Sequence, residues 1–142
     1  MRRLLVGLLL AAIGFTISAC APREAPRADD LVGTWVASVP GHKSRLVLGG
    51  DQSFTMDEIP LAVLTHAGDQ EAVLESIEGW ADVLSVDGSW YMVGRSLHLS
   101  FEVDGQLWDS NLTVLGNGAQ LELVRYLGDP DEGQALRWKK QP

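Results

Sequence analysis

Cysteine occurs once among the 142 residues, at Cys20. A lone cysteine excludes an internal disulfide, so a stable fold must rest on an apolar core. Positive charge is also scarce: 11 Lys and Arg stand against 19 Asp and Glu, for a formal net charge of −8. That balance speaks against a nucleic-acid partner and against electrostatic adhesion to anionic lipid. Histidine is limited to His42, His66 and His98, with no i, i+4 pair and no second cysteine to complete a zinc set or a Cys–His nucleophile. Neither a Gly-x-Ser-x-Gly elbow nor a Gly-rich phosphate loop before a helix occurs. We therefore expect no catalytic residues, no metal and no cofactor, and not an enzyme.

What is there begins at the start. Arg2 and Arg3 precede an apolar run from Leu4 to Phe15, followed by Ile17, Ser18, Ala19 and Cys20. A positive n-region, a short apolar stretch and small residues before a cut describe an export signal rather than a folded helix. An uncleaved anchor is the other reading, but Leu4 to Ala19 is shorter than the roughly 20 apolar residues a spanning helix needs. Ile17-Ser18-Ala19-Cys20 resembles the lipobox of bacterial lipoproteins. That resemblance implies cleavage between Ala19 and Cys20, a diacylglycerol thioether on Cys20 and a further acyl chain, such as palmitate, on the new amine. It also explains an unpaired cysteine in a secreted chain. With Arg2 and Arg3 removed, the net charge falls to −10, so membrane attachment must rest on the acyl chains, each buried CH₂ contributing about 0.8 kcal/mol.

Residues 1–19 thus read as a signal peptide and 20–30 as the lipidated cysteine with a flexible tether. Ala21 to Asp30 is rich in Pro, Ala and charge and has no aliphatic residue with which to build a core. Ala21 bears on location. A two-membrane envelope retains lipoproteins in its inner membrane through an Asp after the cysteine, so Ala21 favours the outer membrane; in a one-membrane cell the anchor is the cell membrane. Either way the protein faces outside the cytoplasm. Residues 31–142 suit one domain.

That domain alternates strand patterns with turn signals. Leu97, Leu99, Phe101 and Val103 share one face of a strand while Ser96, His98, Ser100 and Glu102 share the other. Asp104-Gly105 then offers the positive φ angles of a type I′ turn. A strand from about Leu107 turns Trp108, Leu112 and Val114 inward, Gly116-Asn117-Gly118 closes a hairpin, and Leu121 and Leu123 follow. The Gly128-to-Gly133 loop reads as turn chemistry from its Asp and Pro residues and precedes a last strand with Leu136 and Trp138. Earlier, Val32–Ser38, Arg45–Leu48 and a segment holding Phe54 and Met56 look like strands, and Ser89–Val93 restarts the sheet after Asp87-Gly88. About eight strands in a meander predict an all-β antiparallel barrel or sandwich. Asp57 and Glu58, as neighbours in a strand, are expected on opposite faces.

One segment departs from this pattern. Asp69 can cap a short helix with Val73, Ile77 and Trp80 on one side and Gly79 as its left-handed stop, and Pro60 can begin a single turn through Leu64. The insertion is either a lid over a barrel mouth or a plug that completes the core; the apolar stripe favours the plug.

Gly33-Thr34-Trp35 at the first strand resembles the Gly-x-Trp of lipocalins and the wider calycin group. The likeness implies a lipocalin-like barrel in which the Trp closes one end and a late Arg, here Arg125 or Arg137, packs over it. Together with Asp51-Gln52-Ser53-Phe54-Thr55, Ile59-Pro60, Gly88-Ser89-Trp90 and Gly128-Asp129-Pro130-Asp131, it is also similar to small uncharacterised actinobacterial secreted proteins and lipoproteins, which bring no activity with them. The functional expectation is a lipid-anchored binding protein. If the barrel is open, Trp35, Trp90 and Trp108 line a cavity for a small apolar ligand; if it is filled, the partner is an envelope protein.

Overall fold

Eight strands account for most of the chain in the computed structural model, which describes residues 25–65 and 70–142. The segment read as an export signal, with Ala19 and Cys20, lies outside the described residues, as do His66 and the expected helix cap Asp69. The strands are β1 (Gly33–Val39), β2 (His42–Leu48), β3 (Ser53–Pro60), β4 (Val83–Val93), β5 (Ser96–Val103), β6 (Gln106–Leu115), β7 (Glu122–Tyr126) and β8 (Ala135–Lys140). Each pairs antiparallel with the next, and β8 returns to β1 through Trp35↔Lys140 and Ala37↔Trp138, closing a barrel. Closure decides between the two expected architectures, because a sandwich would leave the edge strands that a barrel removes.

Local chemistry explains why the chain turns where it does. Asp104 and Gly105 take φ of 52° and 76°, the paired positive values of a type I′ turn, and the β5–β6 register runs unbroken from Val103↔Gln106 to Ser96↔Thr113. Asp87-Gly88 carries the same dipeptide but no turn: β4 passes straight through it. A Cβ on Gly88 would stand 2.0 Å from the Ser100 carbonyl oxygen, so glycine is there for the close approach of β5 rather than for a positive φ. The expected restart of the sheet at Ser89 is therefore corrected to a continuous eleven-residue strand.

Alternate residues of every strand fill the barrel. Trp35 on β1, Leu46 on β2, Met56 on β3, Leu97 on β5, Val114 on β6, Leu123 on β7 and Trp138 on β8 have no accessible surface, and Trp90 on β4 has 3%. A side chain with no accessible surface borders no void wide enough to admit a water. Each such large apolar side chain stabilises the fold by about 1.5–3 kcal/mol.

Both ends of the barrel are closed by short helices. At one end, α1 (Ala28–Leu31) inserts Leu31, also without accessible surface, and the Trp35 indole N–H donates to the Leu31 carbonyl at 2.8 Å. The fold thus starts inside the segment read as tether: the Asp30 carboxylate accepts from the Arg27 N–H at 2.8 Å and fastens that turn. At the other end, α2 (Leu61–Thr65) and α3 (Gln70–Gly79) connect β3 to β4, with Val63, Leu64 and Val73 buried. The insertion is a plug. Its stop is displaced by one residue from Gly79: Trp80 itself takes the left-handed conformation, φ 44°, while its ring is buried and stacks on His42 with centroids 5.5 Å apart. Among the described residues, no helix is long and apolar enough to cross a membrane.

Candidate functional site

The three tryptophans expected around a cavity divide between the two ends, with Trp35 and Trp90 at the α1 end and Trp108 at the other. Trp35 on β1 lies at the α1 end, Trp90 on β4 donates its indole N–H to the Gly49 carbonyl at 3.0 Å, and half-buried Trp108 on β6 faces Phe101 beside the β5–β6 turn at the other end. The cation over Trp35 is neither Arg125 nor Arg137 but Lys140, whose Nζ stands 5.5 Å from the ring centroid and donates to the Asp30 carbonyl at 2.7 Å. Strand pairing explains the choice, since Lys140 lies directly opposite Trp35.

Arg125 has a different task. It points into the α2 end, 5% exposed, with Nε donating to the Val63 carbonyl at 3.0 Å and Nη2 to the Leu64 carbonyl at 3.2 Å. Nη1 reaches the Asn111 carbonyl and its Oδ1 at 2.8 and 2.9 Å. The guanidinium collects the last carbonyls of a helix too short to satisfy them, and burial lowers its pKa to about 10. Among the described residues, its hydrogen-bond partners are neutral oxygens. Arg137 instead lies on the outer surface, 3.2 Å from Glu122.

At β3 the chain breaks its own alternation. The register with β4 slips between Met56 and Ile59, and Glu58 takes φ 55°. This is a β-bulge, and the Ser44 hydroxyl, itself buried, donates to the Asp57 carbonyl at 3.1 Å within it. The expectation that Asp57 and Glu58 face opposite ways is overturned: both line one surface groove of about 370 Å³ with Val36, Lys43 and Arg45. Nothing in the composition marks this bulge, since Glu58 is not a residue that favours positive φ.

Among the described residues, titratable side chains do not assemble into a reactive set. His98 stands on the outer face of β5, its ring stacked on Tyr91 of β4 at 4.7 Å and 5°, and His42 stacks on Trp80. Among the described residues, no group of three His, Cys, Asp or Glu side chains is placed to hold a metal ion. The Asp129-Pro130-Asp131 element is a turn, the Asp129 carboxylate accepting from the Asp131 N–H at 3.0 Å and Gly133 closing it at φ 72°.

What remains is the outer wall of β4, β5 and β6. Val93, Tyr91 and Val83 on β4 are 60%, 48% and 45% exposed, and Leu107 on β6 is 70% exposed. Register places Tyr91 beside His98 and His98 beside Asn111, Ser89 beside Ser100 and Ser100 beside Asp109, and Leu107 beside Glu102, so the apolar groups stand among hydroxyls, an amide and carboxylates. The wall thus mixes a Tyr–His stack, hydroxyls, an amide and carboxylates with exposed apolar side chains. Comparison of the chain with models of protein families, with curated proteins and with solved structures finds no match.

Proposed function

We propose that this chain is a lipid-anchored, extracytoplasmic docking module that binds another protein through the outer wall of β4–β6. The observation that carries the reading is the filled interior: side chains with no accessible surface come from seven of the eight strands, and α1 and α2 close the two ends. Side chains occupying the interior among the described residues support a reading in which the surface does the binding. The lipobox-like Ile17-Ser18-Ala19-Cys20 supplies the anchor, and its attachment puts the α1 end nearest the membrane because the described chain enters there. Ala21 after the cysteine favours an outer membrane where a cell has two.

Two experiments test the reading separately. Cys20→Ala should release the protein from membranes or leave it as the uncleaved precursor; unchanged mass and fractionation would remove the anchor from the proposal. A photoreactive phenylalanine analogue at position 91 in the full chain, irradiated in the cells that make it, should yield a covalent adduct with a protein, while the same group at Thr55 on β3 should not. Absence of an adduct at position 91 would refute the docking wall.

A further inference from the structure

On the wall opposite β6, strands β1, β2 and β3 run side by side. Arg45 on β2 lies directly across from Asp57 on β3, a placement in which opposite charges ordinarily pair, and Lys43 stands two residues away on the same face of β2. Among the described residues, neither cation forms an ion pair or a hydrogen bond with the Asp57 or Glu58 carboxylate. The four charged side chains instead line the groove of about 370 Å³, with Val36 as its apolar member. A second groove, of about 490 Å³, shares Lys43 and Glu58 with the first and extends past His42.

Glu58 occupies this place under strain. Continued alternation along β3 would turn its carboxylate into the barrel, where an unpaired charge is not tolerated. The bulge turns it outward and still delivers Ile59 to the core, but with Glu58 at φ 55°, a conformation that Gly or Asn adopts with less strain. The fold therefore accounts for the bulge and leaves the carboxylate unexplained.

We infer that the β1–β3 groove binds a small zwitterion of the amino-acid type, its carboxylate set against Lys43 and Arg45 and its ammonium against Asp57 and Glu58. This site is separate from the β4–β6 wall and does not rest on it. Backbone strain held at a side chain that the fold does not require is characteristic of ligand sites, and bulges re-aim side chains beside them. The cations of β2 and the carboxylates of β3 form two rows one strand spacing apart, roughly 5 Å at the backbone, so a ligand lying across them presents opposite charges to opposite rows. A purely anionic ligand would meet Asp57 and Glu58, and a purely cationic one Lys43 and Arg45; repulsion from the wrong row disfavours both. Arg45 can take a carboxylate through two parallel N–H donors. Because the four side chains are not paired with one another, the charges of the ligand displace water and break no internal ion pair. The buried Ser44 hydroxyl, donating to the Asp57 carbonyl at 3.1 Å, fixes the backbone that carries both carboxylates. The adjoining groove leaves room for a second residue, so a dipeptide fits as well as a single amino acid.

The test titrates L-alanyl-L-alanine into the full chain in detergent micelles and follows the backbone amide signals by NMR. Saturable shifts are expected at Val36, Arg45, Asp57 and Glu58 and not at Tyr91 on the far wall. The N-acetylated dipeptide, which lacks the ammonium, and the dipeptide amide, which lacks the carboxylate, should each bind at least fivefold more weakly than the parent. Arg45→Gln should weaken the parent dipeptide at least fivefold and narrow its advantage over the amide. Glu58→Gly separates ligand binding from folding: glycine relieves the positive φ, so the thermal midpoint should hold or rise while affinity for the dipeptide falls at least fivefold. Undiminished affinity in Glu58→Gly, equal binding of the three probes to the wild-type chain, or no saturable shift at all would overturn the inference. The comparison of probes needs only the wild-type chain, so it decides the matter even where a variant fails to fold.

Discussion

The two ends of the barrel solve one problem with different chemistry. At the α1 end, closure is largely apolar: Leu31 fills the opening, the Trp35 indole accounts for its carbonyl, and an exposed lysine covers the ring from outside. At the α2 end, closure depends on a buried cation that holds helix carbonyls from beneath. The first arrangement can lose a part and relax. The second cannot, because removing the guanidinium strands several buried acceptors at once, and a buried acceptor without a partner costs far more than its hydrogen bond contributes.

That contrast ranks the substitutions. Arg125→Met should be the most damaging, lowering stability by about 3–5 kcal/mol as read from the denaturation midpoint, with amide exchange accelerating first in α2. Arg125→Lys sharpens the point: it keeps the charge but cannot span the Val63, Leu64 and Asn111 oxygens together, so it should recover less than half of the loss. Full recovery by lysine would mean that charge, not donor geometry, closes this end. At the other end, Leu31→Ala should cost about 2–4 kcal/mol through a cavity beneath α1. Trp35→Phe, which removes only the indole donor and a little volume, should cost roughly 1–2 kcal/mol in the same assay. Lys140→Ala should be milder still, about 0.5–1 kcal/mol and reduced by salt.

The smallest effect is a pH dependence at the turn between β2 and β3, also at the α1 end. The Asp51 carboxylate accepts from the Ser53 hydroxyl and the Ser53 N–H, at 2.6 and 3.0 Å, and these bonds hold its pKa below the usual carboxylate range. A pKa lowered by folding contributes stability above the unfolded value, and that contribution disappears as pH falls through the folded one. Wild type should therefore lose stability more steeply than Asp51→Asn as the pH drops below about 4. Parallel curves would show that the turn draws nothing from the ionised carboxylate.

How much of this was legible in the sequence depends on how local each cause was. The Asp104-Gly105 hairpin and the alternation of Leu97, Leu99 and Phe101 could be read because turn and strand are set by the residues that form them. Asp87-Gly88 misled for the opposite reason: its glycine answers to the Ser100 carbonyl on a neighbouring strand, which no window around residue 88 contains. The bulge at Glu58 and the cage around Arg125 are likewise set at a distance, by Ser44 and by α2. Trp80 reads as part of the apolar stripe, yet it, rather than Gly79, takes the left-handed turn, and its ring stacks on His42, which no window around the helix stop contains. The candidate wall was half legible. The polar face of β5 was visible from its alternation, whereas its junction with Tyr91 and Asn111 exists only once the register of three strands is known.

The pairing of β8 with β1 has a kinetic consequence. Every other ladder joins strands that are neighbours in the chain, whereas this one joins Trp35 to Lys140 and cannot form until β8 has been synthesised and released. Until then β1 and β7 are open edges, each a template for pairing with a foreign strand. The slowest step should be this last, longest loop closure, and its duration sets how long a newly made chain depends on protection from aggregation.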